Sequence, residues 1–243
     1  ILVGRTKRFV DKLHMLGVSD PGTFEIQNSA DSPYVPAMVE YLYKRLQRKG
    51  YTERDVRRMV NQERNVFAAL LVALGHGDAM ISGLTRTFAQ TAREVNRVLD
   101  SKPGGVPFGI HMMIGKNHTP FLADTTINER PTAEQLAHIA TETAQVARRM
   151  GHEPRVAFLS YSPFGNPPGQ WLGNIRDAVA ILDAQKPDFE YEGEMAPDAA
   201  LNPKVMALYP FSRLSGPANV LIMPGLQSAN LSAKLLRELA GNA

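Results

Sequence analysis

Apolar positions along the chain alternate between a helical period and short unbroken runs. Three segments repeat apolar residues at helical spacing and are each followed by glycine, and in one of them Thr132 and Gln135 form a capping-box pair. The predicted helices cover residues 132–150, about 35–49 and about 228–240. The unbroken apolar runs are typical of strands covered by helices on both faces. They predict strands at residues 24–26, 79–82, 108–113, 119–123, 156–161 and 218–223.

The alternation of helices and strands predicts the α/β fold class with mostly parallel sheets. A chain of 243 residues has room for one large domain or two smaller ones. We predict two lobes, residues 1–138 and 139–243, with the boundary inside the long capped helix. Ile1, Leu2 and Val3, followed by Gly-Arg, are typical of the end of a buried strand, so the numbering is expected to begin inside a larger protein.

The composition of the chain excludes several classes of function. The chain has no cysteine, which excludes a disulfide framework, a thiolate zinc site and a cysteine nucleophile. Its longest apolar run, residues 67–74, is far shorter than the roughly 20 residues of a membrane-spanning helix. The sequence has no signal-peptide pattern, so we expect a cytoplasmic protein that does not contact a membrane. Acidic residues interrupt the basic ones and only 7% of residues are aromatic, which argues against nucleic-acid binding.

Polar loops follow four of the predicted strands. Ligands of open parallel sheets bind beyond the carboxyl ends of the strands, where loops and helix N-termini meet. The four loops cover residues 83–87, 124–126, 162–169 and 224–230 and are rich in hydroxyls, glycine, proline and amides. Arg86 and Arg93 add charge that can pair with phosphate. These loops indicate a cleft for a phosphorylated ligand, and well-capped turns are the alternative interpretation.

Common catalytic motifs do not occur in the sequence. It contains no G-x-G-x-x-G, P-loop, H-E-x-x-H or G-x-S-x-G pattern. His111 and His118 have no carboxylate nearby to complete a metal site, so we predict no metal in this chain. Glu192 and Glu194 flank Gly193 and are predicted to share one face of a strand. Paired carboxylates can share acid–base work, and the alternative is a solvated or structural role.

Four segments carry a resemblance to a known family. In chain order they are FLADTTINERPTAEQLAHIA, EPRVAFLSYSPFGNPPG, FEYEGEMAPDAALNP and SGPANVLIMPGLQSANLSAKLLRELAG. With them the chain resembles the phosphotransacetylase (phosphate acetyl/butyryl transferase) family, and the similarity extends back through GDAMISGLTRTF to ILVGR. The details SGLTRTF, SPFGNPPG and YPFSRLSGPANVLIMP are most similar to the phosphotransacetylase-like C-terminal domain of large bacterial NADP-dependent malic enzymes.

The resemblance implies a two-lobed, three-layer α/β/α architecture like that of isocitrate and isopropylmalate dehydrogenases, with a coenzyme A cleft between the lobes. In that family a segment returning from the C-terminus completes the first lobe and carries a catalytic Ser-Arg pair and an acidic residue. The resemblance covers neither this segment nor a first strand and helix before Ile1. It therefore implies an incomplete first lobe and no catalytic residue in this chain.

The resemblance also implies an acetyl-CoA site. Arg93 matches the family arginine implicated in holding coenzyme A, and Phe-Gly-Asn-Pro at residues 164–167 replaces a Thr-Lys-Gly-Ser-like turn of active acetyltransferases. That replacement favours a sensing site over a transferase. The implied acetyl-CoA-binding residues are Ser82, Thr85, Arg86, Arg93, Asp124, Tyr161, Ser162 and Asn166.

The leading hypothesis is a regulatory and oligomerising domain that binds acetyl-CoA as an allosteric effector. The resemblance implies an upstream catalytic domain that converts malate to pyruvate and carbon dioxide with NADP and Mg²⁺ or Mn²⁺. No cofactor is expected within this chain, and its expected partners are acetyl-CoA or a related acyl-CoA, that catalytic domain and further copies of itself. The first alternative is an active phosphate acetyltransferase, and the second is a purely structural dimerisation module.

Overall fold

The computed structural model describes residues 1–83, 85–115 and 118–239. Contacts group the chain into two compact units, residues 1–100 and residues 101–243, called the first and the second unit hereafter. The boundary predicted from the sequence, between residues 138 and 139, differs from this division. The long helix Ala133–Arg149 explains the difference, because Leu136, Ile139 and Ala144 all lie in one core of the second unit and hold the helix there as a whole.

The first unit is mostly helical. Its two short strands, β1 (Leu2–Val3) and β2 (Ile26–Gln27), pair in parallel. Its helices are α1 (Thr6–Met15), α2 (Val35–Leu46), α3 (Glu53–Gln62), α4 (Arg64–Ala73) and α5 (Phe88–Asn96). The apolar faces of α2, α3 and α4 meet in a buried core around Leu42, Val60 and Phe67. The predicted helix at 35–49 corresponds to α2 and the 3-10 turn Gln47–Lys49 that follows it.

The second unit contains a five-stranded sheet. Its strands are β3 (Ile110–Met112), β4 (Phe121–Ala123), β5 (Arg155–Leu159), β6 (Glu190–Met195) and β7 (Val220–Ile222). Their order is β3-β4-β7-β5-β6, and of the described strands only β3 runs antiparallel to its neighbour. The helices are α6 (Ala133–Arg149), α7 (Gly173–Gln185), α8 (Pro197–Leu201), α9 (Pro203–Met206) and α10 (Leu226–Leu239).

Helices cover both faces of this sheet. Successive strand residues point to opposite faces, so a strand buried on both sides needs apolar residues throughout. Val156 and Phe158 pack with α6 and α7 in one core, whereas Ala157 and Leu159 pack with α8 and α10 in another. The second unit is therefore a three-layer α/β/α structure. The predicted α/β class with mostly parallel sheets is confirmed.

Five of the six predicted strands overlap strands of the structure. The exception is residues 79–82, which pair with no strand among the described residues and leave Ile81 fully exposed. The capping box of Thr132 and Gln135 is confirmed at the start of α6. The predicted end of the last helix, at about residue 240, lies outside the described residues. No helix in the described part of the chain is long and apolar enough to cross a membrane.

Candidate ligand-binding site

A cavity of about 850 Å³ lies in the first unit, beside the start of α4 and the segment that leads into α5. Three of the predicted acetyl-CoA-binding residues line this cavity together: Ser82, Thr85 and Arg86. Arg64 on α4 and Glu94 on α5 also line it. The cavity therefore combines guanidinium groups, hydroxyls and a carboxylate within one compact unit.

The start of α5 places part of this lining. Thr87 is the N-cap of α5, and its hydroxyl accepts a hydrogen bond from the backbone N–H of Gln90. The helix therefore begins directly after the loop that carries Arg86. Glu94 lies two turns further along α5 and is only 7% exposed. Arg93, its neighbour in the chain, is exposed and is not one of the residues that line the cavity.

A chain of hydrogen bonds connects α4, α5 and the cavity wall. The Ser82 hydroxyl donates to Oδ1 of Asn65 at 2.6 Å, and Nδ2 of Asn65 donates to Oε2 of Glu94 at 2.8 Å. The same Nδ2 lies 3.3 Å from the acceptor Oγ1 of Thr91. Nε2 of Gln90 donates to the second carboxylate oxygen, Oε1 of Glu94, at 2.8 Å. The buried carboxylate is thus held by two side-chain amides.

Several arginine side chains of the first unit have no partner among the described residues, and three of them concern the site. Arg64, Arg86 and Arg93 form no side-chain hydrogen bond and no ion pair with any residue that the structure describes. Arg97, by contrast, pairs with Glu63 at 2.9 Å. An arginine guanidinium has five N–H donors in a rigid fork that matches phosphate oxygens. Arg64 and Arg86 therefore leave the cavity able to bind an anion.

Asp124 organises a loop of the second unit, directly after β4. Its buried carboxylate accepts backbone hydrogen bonds from Gly109, Thr126, Ile127 and Asn128 at 2.7–3.2 Å, and a further one from the Asn128 side chain at 2.6 Å. A carboxylate has about four lone-pair positions, so these five N–H donors use its whole capacity to accept hydrogen bonds. Asp124 thus holds the shape of the loop at the end of β4.

Ser162 lies beyond the carboxyl end of β5, and Glu194 lies in the neighbouring strand β6, one residue before its end. Ser162 is fully buried; its hydroxyl lies 3.4 Å from Oε1 of Glu194, to which it donates. Arg176 on α7 binds the same carboxylate with two hydrogen bonds. The hydrogen bond to Glu194 raises the pKa of Arg176 above its ordinary value. The second paired carboxylate, Glu192, is likewise buried and binds Arg213.

Tyr161 and Asn166 belong to the same loop as Ser162, and both are exposed. The hydroxyl of Tyr161 lies so close to Gly169 that a Cβ there would stand 1.6 Å from the oxygen. Gly169 is therefore needed for Tyr161 to lie against this loop. In the sheet β7 separates β4 from β5, so the Asp124 loop and the Ser162 loop are not on neighbouring strands.

The eight predicted site residues divide evenly between the units. Ser82, Thr85, Arg86 and Arg93 belong to the first unit, and Asp124, Tyr161, Ser162 and Asn166 belong to the second. Sequence reasoning missed four residues that the geometry brings to these groups: Arg64, Asn65, Glu94 and Arg176. All four lie on helices, whereas most of the predicted site residues lie in loops after predicted strands. Among the described residues, no group of histidine, aspartate and glutamate side chains could hold a metal ion.

The second unit has the arrangement of ligand-binding α/β domains, with polar loops beyond the carboxyl ends of a helix-covered, mostly parallel sheet. The sequence model for phosphate acetyl/butaryl transferases matches residues 1–243, and the chain belongs to that family. The predicted family resemblance is thereby confirmed.

Similar proteins fall into two groups. The chain is 47% identical over 243 residues to an NADP-dependent malic enzyme of Rhizobium meliloti. The match covers 100% of this chain and 32% of that enzyme. It is 32% identical over 249 residues to a phosphate acetyltransferase of Clostridium acetobutylicum, covering 99% of this chain and 74% of the transferase. The chain thus spans about a third of the length of the curated malic enzymes that it matches.

The fold is also that of solved phosphotransacetylases. A crystal structure of a phosphotransacetylase from Streptococcus pyogenes superimposes with a TM-score of 0.87 at 31% identity, covering 99% of this chain and 73% of that one. The EutD phosphotransacetylase from Staphylococcus aureus gives a TM-score of 0.86 at 28% identity, with 99% and 74% coverage.

Proposed function

We propose that this chain is a regulatory domain of a cytoplasmic NADP-dependent malic enzyme, that it binds acetyl-CoA as an allosteric effector, and that it transfers no acetyl group itself. The observation that carries the proposal is the pair of unpartnered guanidinium groups, Arg64 and Arg86, in the 850 Å³ cavity of the first unit. Coenzyme A carries a pyrophosphate and a 3′-phosphate, and arginine binds such groups through charge-assisted hydrogen bonds. Arg93, exposed and equally unpartnered on α5, supplies a third cation.

The hydrogen-bonding of the second unit supports the absence of transferase activity. The hydroxyl of Ser162 is fully buried, so a substrate does not reach it as a nucleophile. Glu192 and Glu194 are both bound by arginines, which leaves neither carboxylate free to accept a proton from a substrate. Under this proposal NADP and Mg²⁺ or Mn²⁺ bind in the upstream catalytic domain.

Calorimetric titration of acetyl-CoA tests the binding half of the proposal. Arg93→Ala should weaken acetyl-CoA binding about tenfold or more, because it removes a charge-assisted phosphate contact. Arg149→Ala is the matched control, since Arg149 is also an exposed helical arginine that pairs with no described residue, and it lies in the second unit. Equal affinity of Arg93→Ala and wild type would refute the assignment.

The regulatory half needs the full-length enzyme. A coupling free energy of about 1–3 kcal/mol between effector and substrate sites changes affinity about 5- to 150-fold. Acetyl-CoA should therefore change the concentration dependence of malate oxidation, and Arg93→Ala should shift this response to higher effector concentrations. A malate saturation curve that stays the same at saturating acetyl-CoA would exclude regulation.

Active phosphate acetyltransferase is the second candidate function. The similarity to the Clostridium acetobutylicum transferase favours it, because the chain covers 74% of that protein. This function requires acetyl phosphate formation from acetyl-CoA and phosphate, or the reverse reaction. A coupled assay of the full-length protein that detects turnover, lost in Arg93→Ala, would replace the regulatory proposal with this one.

A purely structural dimerisation module is the third candidate. Helix α10 leaves Leu231, Leu235 and Leu239 exposed along one side, an apolar stripe of the kind that pairs with a second helix. If assembly is its whole role, Leu235→Glu should convert oligomer to monomer in sedimentation experiments. Millimolar acetyl-CoA should then produce no binding heat.

A further inference from the structure

The direction of the hydrogen bonds behind the cavity wall limits what Ser82 can do there. Both oxygens of the Glu94 carboxylate act as acceptors, one from Gln90 and the other from Asn65. The group of Asn65 that faces Glu94 is therefore its NH₂ group, which also faces the acceptor oxygen of Thr91. An asparagine amide is planar, so its carbonyl oxygen points to the opposite side.

That carbonyl oxygen faces Ser82. Oδ1 of Asn65 lies 2.6 Å from the Ser82 Oγ, a distance typical of a strong O–H···O hydrogen bond. A carbonyl oxygen has no proton to give, so the hydroxyl of Ser82 must be the donor. A serine hydroxyl has one proton and two lone pairs. Ser82 therefore donates its single proton to Asn65, and only the lone pairs of its oxygen remain available to a ligand in the cavity.

We infer that Ser82 is a hydrogen-bond acceptor for the ligand of this cavity and that the ligand group at Ser82 is an N–H or O–H donor rather than a phosphate oxygen. Asn65 and Glu94 are the positioning residues that set this polarity, because they fix which way the serine proton points. Arg64 and Arg86 line the same cavity and remain the groups for anions. The cavity thus selects a molecule that carries both an anionic group and a neutral donor.

This inference deepens the proposed function and rests on it for the identity of the ligand. Acetyl-CoA has amide N–H and hydroxyl donors as well as phosphates, so it satisfies both requirements. Inorganic pyrophosphate offers mainly acceptor oxygens and satisfies only the arginines. The family resemblance implies Ser82 as an acetyl-CoA-binding residue, and the hydrogen-bond direction gives it the acceptor role toward that ligand.

Two probes distinguish the two roles of Ser82. Calorimetry with acetyl-CoA and with inorganic pyrophosphate is measured for wild type, Ser82→Ala, Ser82→Thr and Arg86→Ala. Ser82→Ala should weaken acetyl-CoA binding about fivefold, the worth of one hydrogen bond, and leave pyrophosphate binding unchanged. Ser82→Thr keeps the hydroxyl and should retain both affinities, whereas Arg86→Ala should weaken both. Equal losses for the two probes in Ser82→Ala, or no loss for either, would overturn the inference.

A ligand-free measurement separates this inference from the proposed function. Neutron diffraction from deuterated crystals distinguishes nitrogen from oxygen and locates the deuteron on Ser82. We expect it between Ser82 Oγ and Asn65 Oδ1. A deuteron that points elsewhere, or an Asn65 amide in the reverse orientation, overturns the inference whatever the protein binds. If acetyl-CoA fails to bind wild type while the deuteron is found as expected, the proposed function fails and the acceptor role of Ser82 stands.

Discussion

Arg176 binds both carboxylate oxygens of Glu194, with Nε 2.6 Å from Oε2 and Nη2 2.7 Å from Oε1. The two side chains differ sharply in exposure, because Glu194 is 1% exposed and Arg176 is 52% exposed. A buried carboxylate without a partner loses its hydration and gains nothing in return. The partly exposed Arg176 therefore supplies the positive charge and the two hydrogen bonds that stabilise the buried carboxylate of Glu194.

Removal of this arginine should destabilise the second unit. Arg176→Ala leaves Glu194 without its cation, and we expect a lower urea midpoint, by less than for a fully buried pair because water can reach the vacated side. Arg176→Lys keeps the charge but cannot form both hydrogen bonds in the same geometry. Its urea midpoint should lie between those of wild type and Arg176→Ala. The measurement is urea unfolding, with Arg149→Ala as the control. Equal midpoints for wild type and Arg176→Ala would contradict this account.

Asp124→Asn should destabilise the protein although it changes the shape of the side chain very little. The new NH₂ group faces backbone N–H groups that now donate to a carboxylate oxygen, so hydrogen bonds are replaced by donor–donor contacts. We expect a loss of at least about 2 kcal/mol in urea unfolding. Asp177→Asn, an exposed position on α7, should change the stability little. A neutral effect of Asp124→Asn would show that the carboxylate does not hold this loop.

Acid sensitivity should depend on Asp183. The hydroxyl of Tyr191 donates to this carboxylate at 2.8 Å and lowers the pKa of Asp183, with a further hydrogen bond from Arg213. A carboxyl group whose pKa is lower in the folded state stabilises the fold above its unfolded pKa, and that stability is lost as pH falls through the folded pKa.

The pH window for this effect begins near pH 4, the ordinary pKa of aspartate, and continues below it. Asp183→Asn should lower the urea midpoint at pH 7 and bring the mutant and wild-type curves together as the pH falls below that value. The half-exposed position of Asp183 keeps the effect small. A constant difference between the two proteins from pH 7 to pH 3 would exclude Asp183 as the source.

Gly225 allows the loop after β7 to approach the loop after β4. A Cβ at this position would lie 2.6 Å from the backbone carbonyl oxygen of Glu129, which cannot move away as a side chain can. Gly225→Ala should therefore cost about 1–3 kcal/mol in thermal or urea unfolding. Gly173→Ala is the control, because a Cβ there meets nothing within 4 Å and the residue is helical. Equal effects of the two changes would show that the close approach is unimportant.

The fold was largely predictable because most strands are unbroken apolar runs between capped helices. Residues 79–82 have the same pattern but form no strand, since an apolar run does not indicate whether a neighbouring strand exists to pair with it. Strand β6 shows the opposite case. Glu192 and Glu194 look like solvent-facing residues, yet both are buried because arginines distant in sequence pair with them.

The candidate site was predictable only where it lies in loops. Thr85 and Arg86 lie in the loop 83–87, which the rule that ligands bind beyond strand ends identifies, whereas Ser82 is predicted from the family resemblance. Asn65 and Glu94 are 29 residues apart on two different helices, and nothing in their local sequence indicates that they meet. Only tertiary packing brings them together. Their hydrogen bond orients the Asn65 amide, and that orientation fixes the direction in which the Ser82 hydroxyl donates.

Strand β7 occupies the middle of the five-stranded sheet although it is the last of the described strands in chain order. During synthesis on a ribosome, the β3–β4 hairpin and the β5–β6 pair are complete while β7 is still untranslated. Each of these two-stranded pieces then has an open edge, on β4 or on β5, with which Val220–Ile222 pairs later. A nascent chain interrupted before residue 220 therefore exposes two unpaired strand edges, the surfaces through which partly made chains aggregate.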